Sequence, residues 1–471
     1  MTRTPVRFAV AVAVAAIAPL LAAASAARAQ AVDPQTIPST YRQVADRLID
    51  AAVANQHAYE RLGELVDRFG PRLSGSQSLE KAMDWARAQM EQDGLENVRS
   101  EPVMVPHWVR GEESAALVQP WRKDLAMMGL GGSVGTPAGG ITAPVYVVSS
   151  FDDLKAHAAD AKGKIVLFDA PFVSYGRTVA YRVNGAIEAA KAGAVASLIR
   201  SVASYSIYSP HTGVMRYDSA VRKIPHAAIT VEDAEMLHRM QDRGQPVVVH
   251  LEMGAKTLPD AQSQNVMAEV TGREKPDEVV IISGHMDSWD VGQGAMDDGG
   301  GAVAAWEAVR LMHDLGLRPR RTVRVVLWTN EENGTRGGEA YARDHAAQLD
   351  KHVLAIESDG GVFKPQGFGF SGPDGAMPIV QQVGKLLDRI GAGSVTRGGG
   401  GEDISPMMHE GVPGMGLQVD GERYFWFHHS NGDTLDKLDP GQMAECVATL
   451  AVMAYVVADL PEPLPHGGSS R

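Results

Sequence analysis

Five short stretches carry the side chains that could do chemistry. They are Gly284-His285-Met286-Asp287-Ser288, Met296-Asp297-Asp298-Gly299-Gly300-Gly301, Asn330-Glu331-Glu332-Asn333-Gly334, Ile356-Glu357-Ser358-Asp359-Gly360-Gly361, and Phe427-His428-His429-Ser430 with Asp433-Thr434. Each alone has an ordinary explanation. Aspartates at a helix start cap it and complement its dipole, and a glutamate pair is commonly a solvated surface. Together they supply His, three carboxylates and His, an oxygen and nitrogen set that suits zinc or another divalent ion. With five such groups and one carboxylate shared, two metal ions ~3.5–4 Å apart can be held. His285 offers a neutral imidazole nitrogen. Asp287, two residues on, can accept the other ring N–H or support the loop. The residue types by themselves reach as far as a divalent-metal hydrolase.

The elements that must position these stretches alternate. Glu278–Ser283 reads as a buried strand, Gly300–Leu315 as a helix, Val323–Trp328 as the next strand, Glu339–Gln348 as a helix and Val353–Glu357 as another strand. Such alternation argues an α/β sandwich with helices on both faces of its sheet. In open α/β sheets, functional residues gather at the carboxyl ends of strands, and the first, third and fourth stretches fall there. Upstream, Tyr41–Phe69 and about Ser78–Gln92 have helical periodicity, separated by the turn Gly70-Pro71-Arg72-Leu73-Ser74-Gly75. From about Arg110 to Lys256 the pieces shorten to strand-like runs, Val145–Val148, Gly163–Phe168, Ala196–Ile199 and Val247–Leu251, with one helix at about Val183–Ala192. That region holds no metal or nucleophile cluster and reads as an inserted, mostly β, domain.

The N-terminus reads as an export signal: Arg3 and Arg7, an apolar run from Phe8 to about Ala26, then Ala27-Arg28-Ala29 before Gln30. No later stretch is expected to reach the ~18 apolar residues of a membrane span, so no membrane association is expected after signal removal, and a periplasmic or secreted location follows. Cys446 is the only cysteine, which excludes an internal disulfide and a thiolate-rich zinc site. A net charge of −13 argues against a nucleic-acid partner.

In combination the motifs resemble the two-zinc aminopeptidase family of metallopeptidases. The resemblance spans nearly all of the chain after the signal. It rests on the five stretches, on the Gly70–Gly75 turn, and on Gly398–Gly401 with Glu402-Asp403. It implies a three-layer α/β/α sandwich with a mixed central sheet, of the zinc-peptidase/phosphorylase type, interrupted by a β-rich protease-associated domain. The implied division is signal peptide 1–29, catalytic domain 30–110 and 257–471, and insert 111–256. It implies two Zn²⁺ per chain, His285 and Asp359 on one, Glu332 and His429 on the other, and Asp297 bridging. Glu331 is then the general base and Asp287 the support of His285. The family pattern puts the second histidine just before Ser or Thr, which favours His429 over His428; Ser430 stands where the family often has Thr. Small peptides, above all dipeptides with free ends, are the implied substrate, and a homodimer the implied assembly. Beside this stand an aminopeptidase trimming longer peptides, a catalytically inactive binding protein of the same fold, and a single-zinc glutaminyl cyclase-like enzyme.

Overall fold

The computed structural model describes residues 1–2 and 34–467. The expected export signal, its first two positions apart, lies outside the described residues.

The helix expected over Tyr41–Phe69 is two, Ile37–Val53 and His57–Phe69. Asn55 makes the break. Its Nδ2 donates to the Ala51 carbonyl at 2.8 Å and its Oδ1 accepts the His57 N–H at 2.9 Å, so a side chain competes with the helix for backbone groups. Gln77–Gln92 follows, capped by Ser76, whose side chain accepts the Leu79 N–H.

Among the described residues the chain forms two eight-stranded sheets. In the first, Lys275–His285 runs parallel to both Arg321–Trp328 and His352–Glu357. Antiparallel pairs at Glu96–Val109 with Lys256–Val270, and at Pro365–Ser371 with Gly414–Val419, make the sheet mixed. Alternate residues of its central strands enter different cores, as the period of two requires. Val280, Ile282, Val323, Val325, Leu327, Leu354 and Ile356 pack with the helices Ile37–Val53, His57–Phe69, Gly300–Asp314 and Pro440–Asp459. Val279, Ile281, Val326, Trp328 and Ala355 pack on the other face with Tyr341, Ala342, Ile404 and Met407. The helix Pro440–Asp459 is as long and apolar as a membrane span, where the sequence reading expects none; it lies buried in the first of these cores, with 83% of its apolar window covered.

Glu96–Val109 and Lys256–Val270 pair from Glu96 opposite Glu269 to Val109 opposite Lys256. The chain thus leaves and re-enters the first sheet side by side. Between them lies the second sheet, with four helices, Phe151–Ala156, Ala158–Ala161, Tyr175–Lys191 and Val231–Asp242. This segment is α/β rather than mostly β. Its helix Tyr175–Lys191 begins well before the expected Val183, because residues of middling propensity near its start, Thr178 and Val179 among them, are held by packing: Thr178, Arg182, Gly185, Ala186 and Ala189 form its buried stripe. The two units touch closely. Arg110 donates from Nε to Asp290 Oδ2 at 2.8 Å, and Trp289 lies so near Gly131 that a Cβ there would sit 2.0 Å from the indole.

Two buried histidines give the fold a pH dependence. His226 in the second sheet and His352 in the first are both pushed down to about 4 by burial. As pH falls, the unfolded chain takes up these protons first. Stability is therefore complete above the ordinary histidine value near 6.5 and declines between there and about pH 4, by about 1.4 kcal/mol per pH unit for each histidine. Urea unfolding across that window should show the decline, and His226→Asn should reduce its slope; an unchanged slope would refute the assignment.

Candidate metal centre

The parallel core brings three of the stretches together. His285 is the last residue of its strand and stands opposite Trp328; Ser283 stands opposite Glu357. Glu331-Glu332 and Asp359 therefore leave adjacent strands on either side of His285. Asp297 comes from the turn 295–299 that enters the helix Gly300–Asp314, and His429 from the loop after the short helix Tyr424–Phe427.

The six side chains converge as two groups joined by one carboxylate. His285 Nε2 lies 3.3 Å from Asp359 Oδ1, 3.6 Å from Asp297 Oδ1 and 3.8 Å from Glu331 Oε2. His429 Nε2 lies 3.0 Å from Glu332 Oε2 and 3.2 Å from Asp297 Oδ2. Asp297 thus turns one oxygen to each histidine. His428 stacks on His429 with ring centroids 3.5 Å apart, and its Nε2 is 3.5 Å from Asp297 Oδ2. Of the two, His429 has the Glu332 contact. His429 holds a left-handed φ of 59°, a conformation uncommon for a non-glycine residue and typical of sites held by their surroundings.

The loops are pinned by groups that carry their own logic. Asp287 supports His285 through its backbone carbonyl, 2.9 Å from Nδ1, rather than through its carboxylate, which is 3.8 Å away. That carboxylate instead accepts the backbone N–H groups of Glu331 and Glu332 at 3.1 and 3.2 Å. Asp433 does the same for the Asp297 turn, accepting from the N–H groups of Ala295, Met296 and Asp297. Arg72, wholly buried, donates to the carbonyls of Gly70, Met286, Gln293 and Gly294. Sequence reasoning placed Arg72 and Asp433 inside motifs without giving either a task. An arginine in a tight turn and an aspartate four residues past a histidine pair were the available signals.

The second unit also reaches the site, which no sequence signal indicated. Thr212 N–H donates to the His429 carbonyl at 2.9 Å. His211 Nδ1 lies 2.6 Å from the His428 carbonyl. A cleft of about 860 Å³ is lined by Glu331, Glu332, Asp359 and His429 from one unit and by Tyr175, Arg182 and Arg216 from the other.

The centre is short of positive charge. Burial, then crowding by neighbouring carboxylates, pushes Glu331 and Glu332 well above the usual carboxylate range. Asp297 goes the other way: burial alone would raise it, but His285 and His429 hold it well below. Its Oδ2, buried, has no hydrogen-bond partner. Buried carboxylates persist where cations or metals meet them.

Known proteins share this architecture. Mouse carboxypeptidase Q is 54% identical over 431 residues, covering 91% of this chain and 92% of its own. The motif set resembles this member type. A peptidase M28 precursor from Shewanella amazonensis, of known crystal structure, superposes with a TM-score of 0.87 at 38% identity, covering 91% of this chain and 98% of its own. The model of peptidase family M28 matches residues 265–454. The chain belongs to peptidase family M28. The fold extends to a zinc aminopeptidase from Bacillus subtilis, with a TM-score of 0.65 at 22% identity, covering 87% of this chain and 98% of its own. His285, Asp297 and Asp359 form one group of possible metal ligands and Asp297, His428 and His429 another, around an orphaned oxygen of the shared Asp297, and these nitrogen and oxygen donors fit zinc. Family membership and this donor set make the chain a zinc-dependent peptidase.

The packing of the loops permits little change. A Cβ at Gly301 would lie 2.0 Å from the Ser358 carbonyl oxygen and 2.3 Å from Asp298 Oδ1. Gly301→Ala should cost about 1–3 kcal/mol through overpacking, whereas Gly176→Ala, where a Cβ meets nothing within 4 Å, should leave stability within about 0.5 kcal/mol. Paired urea titrations check this, and equal effects would contradict it.

Proposed function

We propose that this chain is an exported two-zinc peptidase of small peptides, dipeptides with free termini foremost. The observation that carries the two-metal reading is Asp297, which presents Oδ1 to His285 and Oδ2 to His429. His285 and Asp359 would then hold one zinc and Glu332 and His429 the other, with Asp297 as the shared ligand. When bound, the metals polarise the scissile carbonyl and lower the pKa of the attacking water.

Glu331 does the proton work. Its carboxylate faces the His285 side of the cleft, with the side chain 16% exposed, and its backbone is fixed by Asp287. It takes the proton of the attacking water and returns it to the leaving amine nitrogen. Glu332 is engaged differently: its Oε2 faces His429, while Oε1 accepts the Trp289 N–H at 3.2 Å. Two adjacent glutamates thus serve two tasks. Asp287 is a positioning residue, acting through both loops that it ties.

Small peptides are supported by the similarity to carboxypeptidase Q and by a cleft whose wall is shared between two units. The segment 111–256 serves on this reading as a protease-associated insert that closes the cleft. Export rests on residues 1–29, and the resemblance supports a homodimer.

Glu331→Gln should keep two zincs per chain by elemental analysis yet lose turnover by ~10²-fold or more. Full activity in a zinc-replete variant would sink the assignment. A panel of one dipeptide, its N-acetylated form and a pentapeptide separates the substrate readings. Cleavage of the free dipeptide alone supports a dipeptidase. Stepwise trimming of the pentapeptide from its N-terminus makes the enzyme a general aminopeptidase.

A further inference from the structure

We infer that Trp289 is a positioning residue through which the docking of the second unit sets the affinity of the Glu332–His429 metal site. The inference rests on the two-zinc reading above and adds to it a residue outside the ligand set.

Trp289 meets both ligands of that site. Its backbone N–H donates to Glu332 Oε1 at 3.2 Å, while Glu332 Oε2 faces His429. Its ring lies 5.6 Å from that of His429, centroid to centroid, at 59°. The same indole is seated in the second unit. A Cβ at Gly131 would come 2.0 Å from Cη2 of the six-membered ring and 2.3 Å from Cζ3, so the seat requires glycine. The rest of the seat is apolar, with Leu73, Trp108 and Ala255 around the indole and Val214 packed on them. A buried indole N–H ordinarily finds a partner, yet Nε1 of Trp289 is buried with none. Shape, not a side-chain hydrogen bond, fixes this ring.

The seat is tied to the site on a second path. Gly131 N–H donates to the Gly213 carbonyl at 2.9 Å, and the Gly131 carbonyl accepts the Met215 N–H at 2.9 Å. In the same segment Thr212 N–H holds the His429 carbonyl. On the other side Asp290, next to Trp289, is paired with Arg110. The position of the second unit is thus passed to Glu332 through Trp289 and to His429 through Thr212. Metal ligands must keep their distances to within about 0.2 Å, so a small shift of one path against the other weakens this site. The companion ligands are placed by the first unit. His285 ends its strand, with its N–H on Asp298 Oδ2 at 3.0 Å and its Nδ1 2.9 Å from the Asp287 carbonyl. Asp359 follows the adjacent strand His352–Glu357.

Titration of the metal-free protein with zinc, in competition with a chelating dye, tests this without turnover. Wild type should show two binding steps. Gly131→Ala puts a methyl where the indole sits, and one step should weaken by about 10–100-fold, the scale for groups that support metal ligands, while the other stays. Trp289→Phe removes the ring atoms nearest Gly131 and should weaken the same step, which decides the matter should Gly131→Ala not fold. In the double variant the methyl fills the space that the smaller ring vacates, so that zinc should bind more tightly than in either single variant. A general loosening of the fold would add the two losses instead. With Asp359→Asn, which removes a ligand of the other zinc, the step that responds to Trp289→Phe should be the one that remains. The inference is overturned if the losses add, if both steps weaken alike, if neither weakens, or if the responding step is the one that Asp359→Asn abolishes. A wild type that takes up a single zinc refutes the two-zinc reading before any variant is made, and the inference with it.

Discussion

Buried negative charge without enough positive charge beside it is the constraint on which this structure depends. Asp297, Glu331, Glu332 and Asp359 crowd around His285 and His429 along the wall of the cleft. Two imidazoles cannot neutralise four carboxylates. Burial and mutual repulsion push the two glutamates toward protonation, while Asp297, between the histidines, stays ionised. A cation bound among them would remove the conflict, and Asp297 belongs to both groups of possible metal ligands. The catalytic reading follows from the same electrostatics. A carboxylate that is buried, crowded and not committed to metal is suited to carry a proton between water and amine, and Glu331 is the carboxylate proposed for that task.

Holding such a cluster in place requires backbone groups rather than further charges. Asp287, Asp298 and Asp433 each turn a carboxylate toward main-chain N–H groups of a neighbouring loop. Arg72 complements them by gathering four carbonyls. The loops are therefore cross-tied by hydrogen bonds that do not compete for the metal-facing oxygens. The parallel strands supply the remaining rigidity, since their carboxyl ends are set side by side by the sheet itself.

The second sheet completes the site instead of merely flanking it. Its loop at His211-Thr212 grips the backbone of the His428-His429 loop, and its helix Tyr175–Lys191 delivers a desolvated arginine to the cleft. The ion pair of Arg110 with Asp290 and the seating of Trp289 on Gly131 hold the two units in register. The chain connects the two units through one pair of antiparallel strands.

The α/β alternation after residue 264 was legible in the sequence because its strands are buried on both faces and its helices follow at once, so composition and length sufficed. The chemistry-bearing residues were legible too, as histidines and carboxylates placed just past apolar runs. The break at Asn55 was not, since one side chain's hydrogen bonds outweighed a helical pattern on both sides. Nor was the helical content of the second unit, where short strands and a helix rich in small residues leave weak periodicity. The types of the ligand groups were a matter of sequence alone. Which oxygen of Asp297 faces which histidine, why His429 and not His428 meets Glu332, and that Arg182 stands in the cleft were decided only by tertiary structure. Those facts depend on contacts between residues that come from separate elements of the chain, such as Asp297 with His429 or Arg182 with His429, and no local pattern encodes a distance of that kind.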